Sequence, residues 1–86
     1  AENINSMPNP NQIMVSNLPF QASQEDLEGF FSQAGSVVSA KIITDRETGR
    51  SKGYGFVLFA EPLGATYALE RMQGASFGGR PLTIRP

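Results

Sequence analysis

Apolar positions along the chain repeat with two periods, and Gly, Pro or charged clusters mark each change of period. Gln12–Asn17 alternates, with Ile13 and Val15 on one face and Gln12, Met14 and Ser16 on the other, the period of a β-strand. Asn17-Leu18-Pro19-Phe20 breaks it. Ser23-Gln24-Glu25-Asp26 has the S-x-x-D spacing of a helix start, with acids placed where the helix dipole favours them. Leu27, Phe30, Phe31 and Ala34 follow at i, i+3, i+4 and i+7, and Gly35 is expected to supply a left-handed stop. Val37–Thr44 is expected as a second strand, with Val38, Ala40 and Ile42 set against Ser39, Lys41 and Ile43. A charged turn over 45–51 leads into Lys52–Phe59, the strongest strand signal in the chain. Pro62 fits a first helical position, and Ala65, Ala68, Leu69 and Met72 form a second helical stripe ending near Gly74. Gly64 lowers helix propensity there by about 1 kcal/mol against alanine. Ser76–Gly79 turns, and Arg80–Arg85 is the last strand, with Leu82 and Ile84 inward. The order is βαββαβ. Residues 1–11, polar and without period, read as a flexible tail ahead of one domain over 12–86.

The third strand poses a packing problem. Tyr54, Phe56 and Leu58 share one face while Gly55, Val57 and Phe59 share the other, so both faces are apolar. Two helices, each roughly 10 Å across, cover about one face of a four-stranded sheet with strands roughly 4.8 Å apart. The other face stays open. With Val57 and Phe59 inward, Tyr54 and Phe56 become accessible rings beside a lysine and two glycines, a surface suited to a ligand with flat faces.

Composition narrows the function. Eighty-six residues make one small domain, with no apolar run near the length of a membrane span and no signal-peptide pattern, so no membrane partner is expected. Cysteine and histidine are both absent, which removes thiol nucleophiles, zinc–thiolate sites and the commonest general base. No enzyme activity, cofactor or metal is therefore expected. The Glu25/Asp26/Glu28 cluster reads as a solvated helix start. A formal charge of −1 argues on its own against a nucleic-acid binder. Position matters more. Glu25, Asp26, Glu28, Glu61 and Glu70 fall on or beside the helices, whereas Lys41, Arg46, Arg50, Lys52, Arg80 and Arg85 fall on strands or their connecting loops.

Lys52-Gly53-Tyr54-Gly55-Phe56-Val57-Leu58-Phe59 fits the pattern K/R-G-F/Y-G/A-F-V-x-F/Y throughout, and so resembles the RNA recognition motif family. Ile13-Met14-Val15-Ser16-Asn17-Leu18 is similar to that family's first-strand hexamer, except that Met14 takes the aromatic place. The resemblance covers about Gln12 to Arg85. It implies an α+β, ferredoxin-like βαββαβ sandwich: a four-stranded antiparallel sheet in order 4-1-3-2 with both helices packed on one face. An acylphosphatase-like enzyme on the same fold is disfavoured, because no glycine-rich anion loop opens the first helix.

The function implied is single-stranded RNA binding on the open sheet, within a larger RNA-processing or mRNA-regulating protein. Tyr54 and Phe56 stack bases or ribose, and the flanking glycines admit a nucleotide close to the backbone. Lys52 stands at the family's phosphate-binding position. Gln12, Met14, Lys41, Ile43, Thr83 and Arg85 share the face by alternation, and Arg50 adds loop charge. Single-stranded DNA is an expected substitute in vitro, and the isolated domain is expected to be monomeric. Family habit points to the nucleus or cytoplasm of a eukaryote. The competing reading is a protein-interaction domain that holds a partner on the sheet or on the acidic helix face; separately, the Tyr54/Phe56 pair reads as core if another domain or a second copy covers the sheet.

Overall fold

The computed structural model describes residues 10–86. In chain order the elements are β1 (Gln12–Ser16), α1 (Gln24–Phe31), β2 (Val37–Thr44), β3 (Ser51–Phe59), α2 (Pro62–Arg71), β4 (Ser76–Phe77), β5 (Arg80–Pro81) and β6 (Thr83–Arg85). The main sheet is antiparallel in the order β2-β3-β1-β6, which is the expected 4-1-3-2 arrangement with β6 as its fourth strand. Both helices pack on one side of it. The tail expected over 1–11 lies outside the described residues except for its last two. Of these, Asn11 is anchored: its carbonyl accepts the Phe59 N–H at 2.8 Å, and its amide donates to the Phe59 and Ala60 carbonyls at 3.3 and 3.1 Å.

One core joins the layers. Ile13 and Val15 of β1 and Val57 and Phe59 of β3 meet Leu27 and Phe31 of α1 and Ala65 and Ala68 of α2, all buried. Burying a side chain of the Val, Leu, Ile or Phe class contributes about 1.5–3 kcal/mol, so these alternating positions fix which sheet face the helices cover. Ser23 caps α1 as its spacing predicts: its hydroxyl accepts the Asp26 N–H at 3.0 Å, and the Asp26 carboxylate accepts the Ser23 N–H at 3.2 Å. Gly64 has a packing reason that outweighs its helix cost. A Cβ there would sit 2.6 Å from the Phe59 ring, so only glycine lets α2 rest on β3.

Several local expectations are corrected. α1 ends at Phe31 rather than Ala34, and Gly35 does not adopt a left-handed conformation. Its small size serves packing instead, since a Cβ on it would lie 3.1 Å from the Gly64 Cα. Val38 is 59% exposed, because the β2–β3 register shifts between Val37 and Ser39 and turns it out while Val37 packs on the core. The expected last strand is divided. Gly78 and Gly79, at φ 60° and 84°, close a small β4–β5 hairpin, and Pro81 has no N–H to donate. The main ladder resumes at Thr83, with Leu82 and Ile84 buried as expected. At the outer edge of β6, the Gln73 side chain satisfies both backbone groups of Ile84, at 2.6 and 2.7 Å, which blunts the exposed edge.

Candidate nucleic-acid interface

Strand register turns the alternation into rows across the uncovered face. Phe56 pairs with Met14 on one side and Lys41 on the other, and Met14 pairs with Arg85. Lys41–Phe56–Met14–Arg85 therefore forms one row over four strands, spanning roughly 14 Å at about 4.8 Å per strand spacing. The ring and thioether at its centre are half-buried and the cations at its ends are exposed. Beside it runs Tyr54–Ser16–Thr83, and on the other side Ser39–Leu58–Gln12. The Tyr54 and Phe56 rings lie 6.2 Å apart at 84°, edge to face, so they offer two differently directed flat surfaces.

Other expected site residues lie outside the rows. Ile43 and Lys52 fall in the irregularity between the Ile42–Gly55 and Thr44–Ser51 pairs, and Ile43 is half-buried there. Gly53 makes this kink, with φ 87°, its N–H donating to the Ser51 hydroxyl at 3.0 Å and its carbonyl accepting the Leu18 N–H at 2.8 Å. Arg50 and Lys52 thus stand at one end of the sheet. The idea that the glycines admit a nucleotide needs correction at Gly55. It is buried on the side of Val57 and Phe59, where a Cβ would strike the Lys41 carbonyl oxygen.

The loop that carries Arg50 and leads into Lys52 of β3 is shaped by Asp45. Its carboxylate accepts the Glu47 and Thr48 N–H groups at 2.7 and 3.2 Å, and Arg50 N–H donates to the Thr48 hydroxyl at 3.2 Å. The bonds from Glu47 and then Thr48 hold the Asp45 pKa below the ordinary aspartate value against an opposing desolvation, and the Lys52 charge is the smallest contribution. A carboxylate with a lowered pKa contributes stability above its unfolded pKa and loses it as pH falls through the folded value. In an NMR pH titration, the Glu47 and Thr48 amide shifts should move together with the Asp45 carboxyl, at a midpoint below that of an unstructured aspartate. An unshifted midpoint would contradict this loop geometry.

Two surface residues were absent from the expected site. Ser16 lies between Tyr54 and Thr83, its hydroxyl donating to the Thr83 carbonyl at 3.3 Å. Phe20, which reads as part of a strand break, is 69% exposed, with the Arg80 guanidinium 6.0 Å from its ring centroid. Asn17 positions that arginine, accepting from it at 2.8 Å while donating to the Pro81 carbonyl at 2.7 Å. An aromatic residue in a polar loop, outside either apolar period, was the available signal. Among the described residues no cluster of three or more acidic, His or Cys side chains is placed to hold a metal, and no helix is long and apolar enough to cross a membrane.

An open sheet bearing rings between cations, backed by two helices, is the architecture of an RNA recognition motif. The model of that family matches residues 13–83, and the chain belongs to it. It is 42% identical over 72 residues to human (Homo sapiens) cleavage stimulation factor subunit 2 tau variant, a match covering 84% of this chain and 12% of that protein. It is 37% identical over 81 residues to the chloroplastic 29 kDa ribonucleoprotein A of Nicotiana sylvestris, covering 94% of this chain and 30% of that one. The structure of the Rna15 RNA recognition motif with bound RNA (GU) superimposes with a TM-score of 0.77 at 28% identity, over 90% of this chain and 81% of the other. The chain thus spans well under a third of the length of the first of these relatives.

Proposed function

We propose that this domain binds single-stranded RNA on its open sheet, with bases or ribose stacked on Phe56 and Tyr54. Lys41, Arg85, Lys52 and Arg50 supply charge, and Gln12, Met14, Ile43 and Thr83 contribute edge and apolar contacts. The observation that carries this reading is the row in which a lysine, a ring, a thioether and an arginine lie side by side. Such a surface suits the two or three stacked nucleotides typical of this class of module. Single-stranded DNA is expected to bind in vitro by the same stacking. The domain acts as a monomeric, non-enzymatic module of a larger mRNA-processing protein of the nucleus or cytoplasm.

The electrostatic part of the binding is modest. The helices carry Glu25, Asp26, Glu28 and Glu70, and no more than about five cations can reach phosphates from the sheet side. Anisotropy titrations of a short mixed-sequence RNA at several salt concentrations should give a log–log slope no steeper than about −3.5, at roughly −0.7 per phosphate contact. A much steeper slope would mean that backbone charge, not stacking, dominates. Met14 supplies a softer platform than a ring. Met14→Phe should tighten binding by about 1 kcal/mol, roughly fivefold, in the same titration. Unchanged affinity would place the RNA away from the β1 side of the row.

A further inference from the structure

A groove of about 640 Å³ opens between α1 and the β4–β5 hairpin, and none of its lining residues belongs to the four strands of the main sheet. Its floor is the Phe30–Phe77 pair, half-buried rings with centroids 4.9 Å apart at 54°. Pro19 and Ala22 also line it, as do Glu25 and Asp26, exposed in the first turn of α1. Gly29, one helical turn beyond Glu25, keeps that side open, since a Cβ on it would meet nothing within 4 Å. Among the described residues no lysine or arginine lines the groove.

We propose that this groove docks a segment of a partner protein in which one aromatic or large aliphatic side chain is flanked by Lys or Arg. The ring floor removes an apolar side chain from water, and Glu25 and Asp26, the latter also accepting the Ser23 N–H in the cap of α1, give the lining a negative charge that complements the flanking cations. The same carboxylates repel phosphate, so nucleic acid is a poor occupant. The chain's own residues 1–9 are a poor occupant too: they include Glu2 and neither Lys nor Arg. Because the groove shares no residue with the sheet rows, the partner and RNA bind independently of one another.

The test is an NMR titration of the 86-residue chain with two capped pentapeptides, phenylalanine flanked by two lysines on each side and phenylalanine flanked by two glutamates on each side. The expected result is saturable shifts at Ala22, Gly29, Phe77 and Gly78 with the basic peptide, and at least tenfold weaker binding of the acidic one. Glu25→Lys and Gly29→Leu should each weaken the basic peptide at least tenfold while RNA affinity stays within twofold. Gly29→Leu replaces a poor helix former with a good one, so loss of fold does not confound the result. The proposal is overturned by equal response to both peptides, by shifts confined to the sheet rows, or by no shift at millimolar peptide. Tighter binding of a peptide of residues 1–9 would overturn it as well.

Discussion

Phe56→Ala should weaken single-stranded RNA binding at least tenfold and leave the fold in place. Stacking one base on an aromatic ring is worth about 1–3 kcal/mol by alanine substitution, and tenfold corresponds to about 1.4 kcal/mol. Phe56 stands at the centre of its row, between Lys41 and Met14, so a base resting on it also lies within reach of both neighbours. Its ring is half-buried on the face away from the core, and its edge-to-face partner is Tyr54. Removing it therefore costs the fold little beyond that ring pair, about 0.5–1.5 kcal/mol. Isothermal titration of the variant against the parent, with circular dichroism to confirm folding, reads both quantities. Equal affinity in the two proteins would remove Phe56 from the binding surface.

Gly55→Ala, one residue away, should instead damage the fold. A Cβ at Gly55 would collide with the Lys41 carbonyl oxygen and lie 3.1 Å from the Ile42 Cα, both backbone atoms of the paired strand β2. No rotamer change relieves that contact, so β2 and β3 must separate. Overpacking of this kind costs about 1–3 kcal/mol, and the backbone contact places it at the upper end. At roughly 4–8 °C per kcal/mol for a domain of this size, the melting temperature should fall by about 12–24 °C. A variant that melts like the parent and loses only RNA affinity would restore the reading in which Gly55 makes room for a nucleotide.

These neighbouring residues show how far the sequence could be read. The period of two separated Tyr54 and Phe56 from Val57 and Phe59, and burial by two helices decided which pair stayed accessible. Ser23 and Asp26 announced the start of α1 because a cap is a contact between residues three apart. Contacts between distant segments were not legible. Gly35 and Gly64 look like a helix stop and a helix weakness, yet each is small because another segment presses on it. Val38 and Ile43 follow the alternation on paper, but register shifts on either side of the β2 ladder turn one outward and leave the other outside the rows. The row itself joins residues from Met14 to Arg85, an alignment fixed by strand pairing and not by spacing along the chain.

The most direct test of the open sheet as the RNA site is a chemical-shift map of the domain titrated with short mixed-sequence single-stranded RNA at about 0.1 M salt, within the screened range for surface charge. The account predicts shifts concentrated at Met14, Lys41, Tyr54, Phe56 and Arg85, and their loss in Phe56→Ala. Shifts confined to α1 and α2, or none with any RNA at millimolar concentration, would contradict it.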